Sequence, residues 1–180
     1  MRRGITGCAL AVLIVAALAA AGVAYYRQTY PYGRSHCCDK ALALALLNYA
    51  DRHDGWFPKG EATPEASLSL LHRDQPEIDA YLLRGKTVAE SVVRDRLSAG
   101  ELLTRETCGW HYVEGLRRDD DGRLALFWDK VGLGHNGERL PRGGHHVAFV
   151  AGDIKYIPGN EWEHFLTEQQ MLFAAMPRFQ

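Results

Sequence analysis

The residues best able to do chemistry in this 180-residue chain are its eight histidines, four cysteines and scattered carboxylates. The densest grouping is His135, His145 and His146, on or beside a glycine-rich stretch, with Asp153 on the next turn. Imidazole and carboxylate ligands suit zinc, and a zinc ion held there would support metal-dependent hydrolysis. Neighbours such as His145 and His146 point to opposite faces if a strand begins there, which argues against one shared ion. The sequence therefore implies no resident metal or cofactor, and these four residues are the weak candidates for one.

Cys108 and His111 form one further Cys/His pair, whereas structural zinc usually takes two spaced pairs. In an oxidising compartment Cys108 could instead bridge to Cys37 or Cys38, tying the first helix of the domain to its body. Three buried free thiols fit the same residues equally well. Asp119, Asp120 and Asp121 supply oxygen ligands of the kind calcium takes, but Arg117, Arg118 and Arg123 flank them, and a solvated turn is the better reading. None of Ser35, Ser67, Ser69, Ser91 and Ser98 sits in a Gly-x-Ser-x-Gly elbow. No phosphate-cradling P-loop is present either.

Whatever these groups do, they must be positioned by a domain lying beyond an apolar run. Ile5 to Tyr26 carries no charge, and about 20 such residues suffice to span hydrocarbon. Residues 1–30 thus read as a membrane anchor through residues 5–26, and residues 31–180 as one domain. Arg2 and Arg3 would stay cytoplasmic, placing the domain outside a single-pass anchor in the inner (cytoplasmic) membrane. A cleaved signal peptide is the rival, because Ala19, Ala20 and Ala21 precede Gly22. Tyr25, Tyr26, Tyr30 and Tyr32 suit the membrane interface. Cys8 opens the apolar run rather than following it, which speaks against lipidation. The net charge of −1 offers no basic surface for a phosphate backbone, so nucleic acid is not an expected partner.

Pro31 and Gly33 should break any helix leaving the membrane and leave a hinge. Helical spacing then predicts a helix from Ser35 to about Arg52, with Leu42, Leu46 and Tyr49 on one face. Trp56 and Phe57 read as packing anchors at a turn. Thr63 and Pro64 open a short helix through Leu71, and another runs from Val88 to Ala99, closed by Gly100. Strands are predicted at Gly109–Leu116, Leu124–Val131, Val147–Val150 and Ile154–Ile157, with a long, mobile loop from Gly132 to Gly144. Asn160 should cap a last helix whose Trp162, Phe165, Leu166, Leu172 and Phe173 pack back on the sheet.

The segment from Cys38 to Pro58, with its Leu-rich helix followed by Tyr49-Ala50, His53, Gly55, Trp56-Phe57 and Pro58, resembles the opening of prepilin-like proteins related to type II secretion pseudopilins. Gly143-Gly144 through Ile154 is similar to the Gly-rich loop, strand and turn that such proteins carry before their final strand, with Ala151-Gly152-Asp153 in place of Asp-Gly. The resemblance covers about a fifth of the chain. It implies a pilin-like α+β fold, with helices packed on a small antiparallel sheet. It also implies a non-enzymatic component or partner of a secretion or pilus-type envelope assembly. Where processed members carry Glu, five positions after the glycine, this chain has Ala9. That departure and the helix break imply an anchored relative that does not polymerise. The other readings are a hydrolase built on the His135, His145 and His146 region, and a soluble periplasmic binding module.

Overall fold

The computed structural model describes residues 2–35, 39–78 and 80–177. Helix α1 runs over Arg2–Thr29. Over Leu10–Thr29 its mean hydropathy is 1.9 and none of it is buried, with Val12, Leu13, Val15 and Leu18 about two-thirds exposed. By length and composition it is able to cross a membrane.

The helix stops where Pro31 and Gly33 were expected to stop it, with Gly33 at φ +78°. The junction is nevertheless pinned. The Arg139 backbone N–H donates to Thr29 O at 2.8 Å and Ser35 N–H to Asn136 O at 2.9 Å, while the Arg84 guanidinium donates to Ser35 Oγ at 2.7 Å. The loop that makes these bonds is the glycine-rich stretch predicted to be mobile. It is folded on itself, with Leu133 bridging Arg139, Gly134 N–H donating to Glu138 O at 2.7 Å and Asn136 N–H to Glu138 Oε2 at 2.8 Å. Its glycines allow close approach rather than looseness: Gly137 holds φ +83°, and a Cβ there would meet Gly33 O at 2.9 Å.

Helix α2 (Asp39–Arg52) buries the predicted face of Leu42, Leu46 and Tyr49. Ser35 lies outside it, engaged with the loop, and residues 36–38 lie outside the described residues. Phe57 is buried in the core, and Trp56 lies between cations, with Lys59 Nζ 3.0 Å and Arg117 Cζ 4.9 Å from its ring centre. Helix α3 (Pro64–Leu68) starts as read, with Thr63 Oγ1 accepting from Ala66 N–H. Short helices α4 (Leu70–Asp74) and α5 (Ala80–Leu83) follow, the latter not foreseen, and then α6 (Glu90–Ser98).

Strands β1 (Trp110–Tyr112), β2 (Ala125–Asp129), β3 (His145–Phe149) and β4 (Ile154–Ile157) form a four-stranded antiparallel sheet in chain order. The first is shorter than the predicted run because Gly115 turns the chain at φ +85°. Helix α7 (Trp162–Ala174) closes the fold. The residue before it is Glu161 and no side chain caps it, so the expected Asn160 cap is not made.

Strand alternation divides the core into two layers. On one face Phe127, Ala148, Trp110 and Tyr112 pack with α2, α4 and α5 residues such as Leu46, Leu71 and Leu83. On the other, Trp128, Val147 and Phe149 pack with Phe165, Trp162 and Leu166 of α7. A register shift between Ala125 and Phe127 puts Leu126 and Phe127 in the same layer. The result is an α+β domain with its sheet covered on both sides.

Candidate functional site

The first layer holds a charge where only apolar groups were expected. Lys86 follows α5, and its side chain is fully buried between Asp39, at the start of α2, and Asp129, at the end of β2. Lys86 Nζ lies 2.5 Å from Asp129 Oδ2 and 3.0 Å from Asp39 Oδ1. The Lys86 backbone N–H adds a bond of 3.2 Å to Asp129 Oδ1. Gly85 makes this placement possible: at φ +66° its missing Cβ would lie 2.8 Å from the Gly109 Cα.

Burial presses the Lys86 ammonium toward neutrality, but the two carboxylates more than offset it and its pKa is raised. It is thus a fixed cation, not an amine nucleophile. Burial pushes the Asp129 carboxyl up from its ordinary 3.8 to about 6, against the pull of Lys86 and with the Asp39 charge adding to the rise. The cluster thus sets two carboxyl side chains against one ammonium.

Asp39 also lines a cavity of about 630 Å³, together with Lys40, His135, His146, Ile154 and Tyr156. His146 Nδ1 is 4.0 Å from Asp39 Oδ2, and its ring meets Tyr156 edge-on at 5.7 Å. Burial lowers the His146 pKa, with the Asp39 charge pulling the other way, so the ring is neutral at neutral pH. An adjoining cavity of about 590 Å³ continues past His146 and Tyr156 to Arg142 and Asn160. There the Pro141–Gly143 turn holds Arg142 in the left-handed region at φ 59°.

Of the residues singled out in the sequence, only His135 and His146 meet in this cavity. His145 lies on the opposite face of β3, stacked on Trp162 at 4.0 Å. Its Nδ1 donates to Asp129 O at 3.0 Å, since a carbonyl can only accept. Asp153 pairs with Lys155 at 2.9 Å and lines a different cavity with Leu44 and Gly152. Among the described residues no group of three or more His, Cys, Asp or Glu is placed to hold a metal ion.

The expected disulfide is overturned. Cys108 is a free thiol, 1 % exposed. Its Sγ lies 3.6 Å from Leu83 O and 3.8 Å from Trp110 O, beneath the sheet. Cys37 and Cys38 lie outside the described residues. Burial pushes the Cys108 pKa up to about 12, which removes it as a nucleophile. Ser67 and Ser69 are buried and serve the backbone, accepting from the Glu61 and Leu103 N–H groups. The aspartate turn is neutralised locally, by Arg117 on Asp119 and Arg123 on Asp121.

Comparisons with family models, with curated proteins and with solved structures return no match. The type II secretion assignment accordingly draws no support from them.

Sequence reasoning missed Lys86 and Asp129. Lys86 sits in the polar-looking run Arg84-Gly85-Lys86-Thr87, and Asp129 ends an otherwise apolar strand. That lone carboxylate after Ala125-Leu126-Phe127-Trp128 was the available signal, since a charge continuing a fully buried strand needs a partner.

Proposed function

We propose that the chain is a membrane-anchored, non-enzymatic component of a cell-envelope assembly, built on a pseudopilin-like plan. In this reading α1 spans the inner membrane once, with Arg2 and Arg3 on the cytoplasmic side and the α+β domain outside. The observation that carries it is α1 itself. A 20-residue window of mean hydropathy 1.9 with no buried residue leaves an apolar surface that water does not tolerate and hydrocarbon does.

Two features support the finer reading. The leucine-rich α2 packs under an antiparallel sheet, as the resemblance implied. Three of the reactive groups are also tied up structurally: Lys86 by two carboxylates, Cys108 by burial and His145 by a carbonyl and a tryptophan. The break after Thr29 suits an anchored, non-polymerising relative rather than a filament subunit.

The test is the fate of the chain in membranes of expressing cells. Resistance to alkaline carbonate extraction, an unprocessed intact mass and digestion of the domain by protease added outside spheroplasts are expected. A lighter, soluble chain lacking the apolar segment would replace the anchor by a released domain. Full protection from external protease would put the domain on the cytoplasmic side.

A further inference from the structure

The chain carries a net charge of −1, yet one end of the domain is basic. Arg27 lies in the last turn of α1, and Arg34 just past its end, with its Cζ 5.7 Å from the Tyr30 ring centre. The bond from the Arg139 N–H to Thr29 O brings the glycine-rich loop to the same junction. Arg142 follows in the Pro141–Gly143 turn, within about 10 Å of Arg139 along the chain. All four arginines are exposed.

None of the four has an ion pair among the described residues. Arginines on the body of the domain are instead set against carboxylates, Arg52 on Asp74, Arg118 on Asp51 and Arg123 on Asp121 among them. Of the described arginines elsewhere in the domain only Arg84 and Arg105 lack such a partner, and Arg84 donates to Ser35 Oγ and Val88 O. The carboxylate of the loop, Glu138, is turned to the backbone, its Oε2 accepting from the Asn136 N–H. The cavity of about 590 Å³ beside Arg142 has no carboxylate among its described lining residues.

Charges left unpaired together at one end call for an anion from outside the chain, and α1 says which. Tyr25, Tyr26 and Tyr32 are exposed about the same junction, and the Tyr26 and Tyr30 rings lie 5.2 Å apart. Amphipathic rings at the end of an apolar span mark the depth of lipid headgroups. The arginines therefore stand at the level of lipid phosphates, which a guanidinium fork binds through two parallel N–H···O bonds. Zwitterionic lipid pairs its phosphate with its own ammonium, so the preference falls on acidic headgroups.

We propose that this face docks on the leaflet from which the domain emerges, with Arg27, Arg34, Arg139 and Arg142 binding the phosphodiesters of acidic phospholipids. The proposal rests on α1 spanning the membrane, and adds to it a domain seated on the lipid surface. It holds whichever side of the membrane the domain occupies.

The experiment is reconstitution of the full chain into phosphatidylcholine vesicles, with flotation to read insertion. Trace spin-labelled phosphatidylglycerol or phosphatidylcholine then reads, by electron spin resonance, the lipid held against the protein. Insertion into phosphatidylcholine alone is expected, with about fourfold enrichment of phosphatidylglycerol over phosphatidylcholine in the protein-bound fraction. Arg139→Gln with Arg142→Gln should lower the enrichment to about twofold, and adding Arg27→Gln and Arg34→Gln should bring it close to parity, the remainder belonging to Arg2 and Arg3. Arg123→Gln, at the opposite end of β2, should leave it unchanged, and about 1 M sodium chloride should remove it. Failure to float with the vesicles overturns the anchor and this proposal together. Insertion with equal retention of both lipids overturns the proposal alone, as does an enrichment that survives the salt, is abolished by Arg2→Gln with Arg3→Gln, or is unchanged in folded Arg139→Gln with Arg142→Gln. If that last variant does not fold, an unchanged enrichment in Arg27→Gln with Arg34→Gln overturns it.

Discussion

Thr29, the last residue of the apolar helix, accepts a 2.8 Å hydrogen bond from the backbone N–H of Arg139, in a loop on the far side of the sequence. The point where the chain leaves α1 is therefore part of the domain, not a free tether.

Gly137 is the residue that lets the loop reach this junction, at φ +83° and close against Gly33 O. Gly137→Val should cost about 1–3 kcal/mol through left-handed strain and steric conflict. It should also make trypsin cleave faster after Arg34, while cleavage elsewhere in the domain is unchanged. Limited proteolysis followed by mass spectrometry checks this, and an unchanged rate at Arg34 would mean that the loop does not hold the junction.

Lys86→Met should be the most damaging substitution in the buried cluster. It leaves Asp39 and Asp129 facing each other without a counter-charge, a loss of about 3–5 kcal/mol. Asp39→Asn should cost less, under about 2 kcal/mol, because a neutral Lys86–Asp129 pair survives. Urea unfolding of the two variants gives the comparison, and equal costs would contradict the charge assignment.

The pH dependence has a definite sign. The Asp129 carboxyl titrates at about 6 in the fold against an ordinary 3.8. Between those values the folded state keeps a proton that the unfolded chain has released, so this group's contribution falls as pH rises through the window. Burial acts oppositely on His111, His145 and His146, whose lowered pKa values favour folding as pH rises. Subtracting the stability curve of Asp129→Asn from that of the wild type removes the shared histidine contribution. The difference should decline by on the order of 2–3 kcal/mol from pH 3.8 to about 6. A flat or rising difference would refute it.

Cys108 should resist alkylation in the native protein and react only after denaturation, because its thiol is buried and its pKa lies at about 12. Peptide mapping after iodoacetamide treatment with and without urea reads this directly. Modification at native conditions, or a peptide joined to Cys108 by a disulfide, would run against the free buried thiol.

What the sequence showed was what local periodicity carries. The uncharged run of α1, the leucine face of α2, the Thr63–Pro64 helix start and the strand spacing around Asp153 all reflect neighbours within a few residues. Lys86 was illegible for the opposite reason, since its partners Asp39 and Asp129 are 47 and 43 positions away. The glycine-rich loop was legible as a loop but its contacts were not, because glycine marks both slack chain and close approach, and only the positions of Gly33 and Arg139 in space distinguish them. Of the candidate site, His146 was named from sequence for its chemistry, but the carboxylate beside it was not.

The sheet runs in strict chain order, each strand paired with the next, and this bears on how the protein is made. Each hairpin can zip as soon as its second strand is synthesised, at low loop-closure cost. Helix α2 finds α4 and α5 early, but the strand its leucine face also packs on, β3, is among the last elements made. During synthesis the earliest part of the domain is thus its stickiest, and it emerges immediately beside α1. Biogenesis of this chain should therefore depend on a holdase during the interval before β3 is complete, and much less afterwards.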